Sequence, residues 1–148
     1  MAKEKVPTAA TTWGGKMKEF GGGNFTFLSG DGEVIICIVV DLPVLMKGMY
    51  KGKENDRIGC PIVTDEGFQL LICGKRLARK ISKHEGEFLT NALMIIRHGT
   101  EGDVNATYEV KTIAEPETFT RLNVIKKSDF EPDMIDDAIK EAQAVLIS

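Results

Sequence analysis

Hydrophobic positions along this chain follow two periods, and the switches between them mark its elements. Glu33 to Leu42 is apolar at both parities (Val34, Ile35, Ile36, Ile38, Val39, Val40). That is the pattern of a strand covered on both faces, and Pro43 ends it. Ahead of it, Phe25 to Leu28 reads as a short strand followed by the turn signal Ser29-Gly30-Asp31-Gly32. Arg57 to Thr64 reads as a short strand broken by Cys60-Pro61, and Asp65-Glu66-Gly67 as a turn. Phe68 to Cys73 is a further strand, punctuated by Gly74. The period then changes. Leu77, Ala78 and Ile81 fall at helical spacing among Lys75, Arg76, Arg79, Lys80 and Lys83, which predicts a short amphipathic helix with a basic outer face. Ala92 to His98 and Ala106 to Ile113 predict an antiparallel pair joined by the polar loop 99–105. A linker containing Pro116 and a strand at Thr120 to Ile125 are expected next. From Pro132 onward, Ile135, Ala138, Ile139, Ala142, Val145 and Leu146 recur with helical period.

The core order is therefore strand, strand, strand, short helix, strand, strand, with the last two strands forming a hairpin. This predicts a mainly β domain: a five-stranded OB-like Greek-key barrel with a short helix between strands 3 and 4. Two segments flank it. Residues 1–23 hold Pro7, Gly14-Gly15 and Gly21-Gly22-Gly23 and read as a flexible N-terminal arm. Trp13, the only tryptophan, and Phe20 lie in that arm, and a large ring in such a segment anchors it to core, second subunit or ligand. Residues 128–148 read as an acidic amphipathic C-terminal helix. The barrel is expected over 24–127, with a basic loop at 44–57, of which Val44 to Asp56 reads as a loop or exposed hairpin rather than core.

Composition narrows the class. With 148 residues, 43% hydrophobic and 28% charged, the chain fits one globular domain. The apolar run Val34 to Val40 is far short of the ~20 residues of a membrane span. The charged start Met1-Ala2-Lys3-Glu4-Lys5 does not read as a secretory signal, so a cytoplasmic protein without membrane partners is expected. Cys37, Cys60 and Cys73 are too few and scattered for a disulfide scaffold, and Cys37 and Cys73 lie in apolar runs. Without a C-x-x-C, and with His84 and His98 the only histidines, neither a metal nor another cofactor is expected.

The net charge of −3 hides two opposed segments. Residues 47–83 carry nine basic against four acidic side chains, and residues 128–148 carry six acidic against Lys140 alone. A basic middle suits a polyanion, and an acidic end could compete for the same surface. Ordinary solvated surface is the alternative. The carboxylates near the start of the last helix also have a structural reason, since the helix dipole favours them there.

Nothing in the chain reads as a nucleophile with its base, a phosphate loop or a dinucleotide fingerprint, so catalysis is not expected. What remains is basic residues interleaved with aromatics. Single-strand binders use cations to track phosphates and aromatic faces on which bases stack. Lys47, Tyr50, Lys51, Lys53 and Arg57 supply both within one segment, and Arg97, His98 and Tyr108 could supply them on the last hairpin. For Tyr108 the alternative is a core ring packed against Val110.

The segment Ile96-Arg97-His98-Gly99, followed by Thr107-Tyr108-Glu109-Val110, resembles the closing hairpin of bacteriophage OB-fold single-stranded-DNA-binding proteins. Phe27-Leu28-Ser29-Gly30-Asp31-Gly32 before a β-branched strand, and Leu70-Leu71-Ile72 before the basic helix, add to the resemblance. It spans roughly residues 20–115, and it implies non-catalytic, largely sequence-independent binding of single-stranded DNA in phage replication or recombination, in the host cytoplasm. By resemblance, Lys47, Tyr50, Lys51, Lys53, Arg76, Arg97 and Tyr108 contact DNA. The acidic C-terminal segment would recruit replication or recombination proteins or screen the groove. The chain lacks the extra cysteines many such proteins carry near the position of Cys60-Pro61, and its acidic tail reads as helical. An expectation from another class is a small β-barrel structural or assembly protein, a homo-oligomer built through its arm and C-terminal helix.

Overall fold

The computed structural model describes residues 24–28, 30–50, 53–100 and 105–147. In chain order the elements are β1 (Phe25–Thr26), β2 (Val34–Val39), β3 (Val44–Tyr50), β4 (Lys53–Thr64) and β5 (Gly67–Cys73), then α1 (Lys75–Ser82). A 3₁₀ turn (Glu85–Glu87), β6 (Leu93–His98), β7 (Thr107–Thr112), α2 (Pro116–Asp129) and α3 (Asp133–Ile147) follow. The chain is mainly β, as its periodicity predicts. The expected arm, residues 1–23 with Trp13 and Phe20, lies outside the described residues.

Seven strands, rather than five, form one mixed sheet in the order β1-β5-β4-β2-β6-β7, with β3 also paired to β4. Among the described residues the sheet stays open, with no closed barrel. The spine is β4. Along one side it pairs with β5 from Ile58↔Cys73 to Thr64↔Gly67. Along the other it pairs first with β3, from Tyr50↔Lys53 to Val44↔Gly59, and then with β2 at Ile38↔Val63 and Val39↔Ile62. β2 hands over from β4 to β6, which it meets from Val34↔Ile96 to Cys37↔Leu93.

Two expectations for this region are corrected. The stretch 44–56 is most of a hairpin, but it is not held off the core, since Met46 on it is fully buried. β4 is not broken at Cys60-Pro61 but runs through both residues. Pro61 is tolerated because of where its missing amide falls. Its carbonyl accepts the Val40 amide at 3.1 Å, but it has no N–H to return the bond. The ladder becomes one-sided at the point where β2 stops, and Pro43 closes the break before β3 begins.

The sheet is apolar on both faces, and each face has its own core. On one, Ile38, Met46, Val63, Phe68, Leu70 and Ile72 meet α2 and α3 through Leu122, Ile135, Ala138 and Ala142. On the other, Cys37, Cys60, Ile62, Leu71, Leu93 and Ile95 are capped by Leu77 and Ile81 of α1. Each large side chain so buried contributes about 1.5–3 kcal/mol.

The segment 120–125, expected as a strand after a linker, lies inside α2. Pro116 occupies the first turn, where its missing N–H has no helical partner to lose. The β-branched Thr118, Thr120, Val124 and Ile125 favour strand locally, but burial of Leu122 with Phe119 and Ile125 overrides that preference. α2 is clipped to the β4–β5 turn at two points. Arg121 donates to both Asp65 carboxylate oxygens at 2.7 and 3.1 Å. Asp129 accepts the Phe68 amide at 2.9 Å. Gly67, at φ 101°, sits under that carboxylate, and a Cβ there would run into it. The C-terminal helix forms as its spacing predicts, with Asp133 and Asp136 in its first turn, where the dipole favours them.

Candidate nucleic-acid interface

The basic surface is assembled from three elements. α1 starts at Gly74, which is extended (φ −82°, ψ 170°) and offers no side-chain cap, so the first amides of the helix have no side-chain acceptor. Leu77 and Ile81 turn inward, and the same period sends Lys75, Arg76 and Arg79 outward, with Lys83 following at the C-cap. The cations in the last turn suit the helix dipole. Lys75 and Arg76 in the first turn do not, and no acidic residue accompanies them there.

The β3–β4 hairpin brings further cations to the start of α1. Lys47 and Asp56 are cross-strand partners, and Asp56 holds both Lys47 (3.4 Å) and Lys75 (3.8 Å). The Arg57 guanidinium lies beside Gly74, where a Cβ would come within 3.7 Å of its Nη1. Lys47 and Lys75 therefore share one locus through Asp56, with Arg76, Arg79 and Lys83 extending it along the helix, whereas Arg57, the cross-strand partner of the buried Met46, leaves from the other face of the sheet beside Gly74. Asp56 is the carboxylate the structure pairs with these cations. Of the remaining expected residues of this segment, Tyr50 and Lys53 pair through their backbones at the hairpin end, and Lys51 lies outside the described residues. Sequence reasoning did not assign Lys75, Arg79 and Lys83 to the site. The helical period that singles out Leu77 and Ile81 was the signal for them.

Arg97 and Tyr108 form a separate unit, a cross-strand pair on β6 and β7. The structure gives Arg97 a different role from the expected phosphate contact. It is 7% exposed. Its guanidinium donates to the Gly99 carbonyl (3.0 Å), the Thr100 carbonyl (2.7 Å) and the Tyr108 hydroxyl (2.9 Å), so it braces the start of the β6–β7 loop from inside. The loop is tied again where Gly99 donates to Asp31 at 2.9 Å. Tyr108 is half-buried against the α1-side core, which agrees with a packing role beside Val110. The unit touches the basic helix at one point, where Lys80 donates to the Tyr108 carbonyl at 2.7 Å.

The other titratable groups are in local networks. Glu87 is held below the usual carboxylate range by hydrogen bonds from Thr112 and His84. Glu109 is lowered by its 2.6 Å bond to His98 and by Lys111. Burial pushes the Cys37 thiol up to about 12. The Cys73 thiol is also pushed up, first by its hydrogen bond to Cys60, with Sγ atoms 3.9 Å apart, and then by burial. Among the described residues no group of three or more His, Cys, Asp or Glu side chains could hold a metal ion. No helix among them is long and apolar enough to cross a membrane. Comparison of the chain with protein-family models, with curated proteins and with solved structures finds no match.

Proposed function

We propose that this protein binds single-stranded DNA without catalysing a reaction on it, using the surface made by α1 and the β3–β4 hairpin. One observation carries the reading. Lys47, Lys75 and Arg76 gather at an uncapped helix N-terminus, where the charge of Lys75 and Arg76 opposes the dipole, and Arg79 and Lys83 continue the basic row along the same helix. Folding alone gives no reason for that arrangement, and a bound polyphosphate does. Lysines and arginines would neutralise phosphates and release counterions, which makes affinity salt-sensitive and indifferent to sequence.

Strand pairing supports an OB-like reading of the sheet. β2 lies between β4 and β6, β5 lies beyond β4, and α1 falls between β5 and β6, which is the order of a five-stranded OB barrel short of its closure. β1 runs parallel to β5 on the edge such a barrel would close. The sheet face packed under α2 and α3 is covered, which turns the ligand toward the basic helix. A role in phage replication or recombination fits the resemblance of the hairpin sequence. The exposed Asp133, Asp136 and Asp137 of α3 are the surface for a replication or recombination partner.

The alternative, a structural protein oligomerising through its C-terminal helix, is less well supported. The apolar stripe of α3 is taken up by its own sheet, with Ala138 and Ala142 at 0% exposure. The test is fluorescence anisotropy of a labelled ~30-nucleotide oligo(dT) at low and high salt, with a duplex of equal length as control. Tight single-strand binding that weakens steeply with salt is expected. Absence of binding at low salt would remove the reading.

A further inference from the structure

The break between β2 and β3 opens a groove that the nucleic-acid reading does not use. Its volume is about 520 Å³, and its walls are mainly Val39, Val40, Leu42, Pro61, Phe88 and Leu89. The origin is the one-sided ladder at Pro61. Residues 40–43 leave the sheet there, and the 3₁₀ turn after α1 faces them across the gap. Leu42 and Leu89 on its lips are 74% and 79% exposed. The polar groups around it are chiefly Asp41, Glu85 and Lys126. A volume in the ~300–1,000 Å³ range of ligand pockets accommodates a large aromatic side chain with neighbours.

We propose that this groove receives the segment Trp13–Phe20 of the same chain. Three observations converge on that occupant. In the sequence, Trp13, Met17 and Phe20 recur at intervals of four and three residues, which places them on one side of a helical period. With Lys16, Lys18 and Glu19 the segment is net positive by one, and with Asp41, Glu85 and Lys126 the groove is net negative by one. Reach is sufficient. The Asn24 carbonyl accepts the Leu70 amide at 2.7 Å, and Leu70 is the register partner of Pro61 in the groove wall. Asn24 and Pro61 are thus about two strand spacings apart, ~10 Å. The four residues from Phe20 to Asn24 span up to ~14 Å. Docking would cover Leu42 and Leu89 and give the only tryptophan of the chain an apolar site. The proposal is independent of the DNA-binding reading.

Because Trp13 is the only tryptophan, the intact protein reports its own docking. Emission at the short wavelength of a buried indole is expected, with acrylamide quenching several-fold weaker than for free indole. In the double variant Leu42→Asp, Leu89→Asp, emission should move to the solvent-exposed position and quenching should rise several-fold. Leu45→Asp, 57% exposed and outside the groove lining, should leave both unchanged. All three leucines are exposed, and far-UV circular dichroism checks that each variant folds. Solvent-like emission in the unaltered protein would overturn the proposal, as would a buried indole indifferent to the two leucines. A blue shift lost on dilution, with a dimer by sedimentation, would assign the segment to a second copy and overturn the within-chain arrangement.

Discussion

The sharpest test of the basic surface is the loss of its outward row. Arg76, Arg79 and Lys83 recur at three- and four-residue intervals and are all exposed. From the first to the last is seven residues, or ~10 Å along the helix axis. Phosphates of a stacked strand advance ~3.4 Å each, so the row faces about three of them. Each neutralised phosphate on a single strand contributes about 0.7 to the slope of log K against log salt. The triple variant Arg76→Ala, Arg79→Ala, Lys83→Ala should therefore flatten that slope by about 2. Between 50 and 200 mM salt, the unaltered protein would then lose roughly 16-fold more affinity than the variant. Anisotropy titrations with oligo(dT) at four or five salt concentrations measure this directly. Lys127→Ala, an exposed cation on α2, is the control and should run parallel to the unaltered protein. Equal slopes for the triple variant and the unaltered protein would refute the assignment, because the counterions would then be released from another surface.

Three further outcomes follow from named contacts. Asp56→Asn should free Lys47 and Lys75, tighten binding at low salt and steepen the slope by up to about 1.4; an unchanged slope would mean that neither lysine reaches phosphate. Arg97→Met should lower stability by about 2–3 kcal/mol in urea denaturation while leaving the salt slope alone, since its three hydrogen bonds go to the fold. Glu87→Gln tests the network with His84 and Thr112. The folded-state value of Glu87 is lowered, so its stabilisation is complete above the ordinary carboxylate value and is lost as pH falls through the lowered one. The melting-temperature gap between this variant and the unaltered protein should accordingly be present at neutral pH and vanish in strong acid.

How far these features could be read from sequence depended on whether one period dominated a segment. The runs forming β2, β5 and β6 were legible because burial on both faces leaves almost no polar position to confuse the pattern. α1 and α3 were legible because their apolar positions keep a helical interval. α2 was not, because its apolar and polar residues are mixed around the helix and its threonines and β-branched residues imitate a strand. β3 read as a loop or exposed hairpin because Lys47, Gly48 and Lys51 outweighed Met46, and only the packed structure shows that this side chain lies in the core. Among the site residues, Lys47, Arg57 and Arg76 were legible as charge, but only the strand register shows that Arg57 lies on the opposite face of the sheet from Lys47. Arg97 misled because an arginine near a turn looks the same in sequence whether it faces solvent or holds carbonyls from within.

The short strand β1 has a consequence for solubility. The two ends of the strand order in an open sheet present rims of unpaired amides and carbonyls, and each is a template on which another chain can add. This protein guards the two differently. At β7, side chains of Glu109 and Lys111 alternate outward, and a strand approaching that rim must desolvate both. At β5 the side chains are buried from Gly67 to Cys73, and the strand carries no charge of its own. Among the described residues, two residues of parallel pairing and the Asn24 carbonyl cover it. Fraying of that short segment would free the backbone of β5 at Leu70 and Leu71, in the middle of an uncharged apolar strand. The tendency of the folded protein to form fibrils or inclusion bodies should therefore be governed by the hold on Phe25 and Thr26 more than by the total stability of the domain.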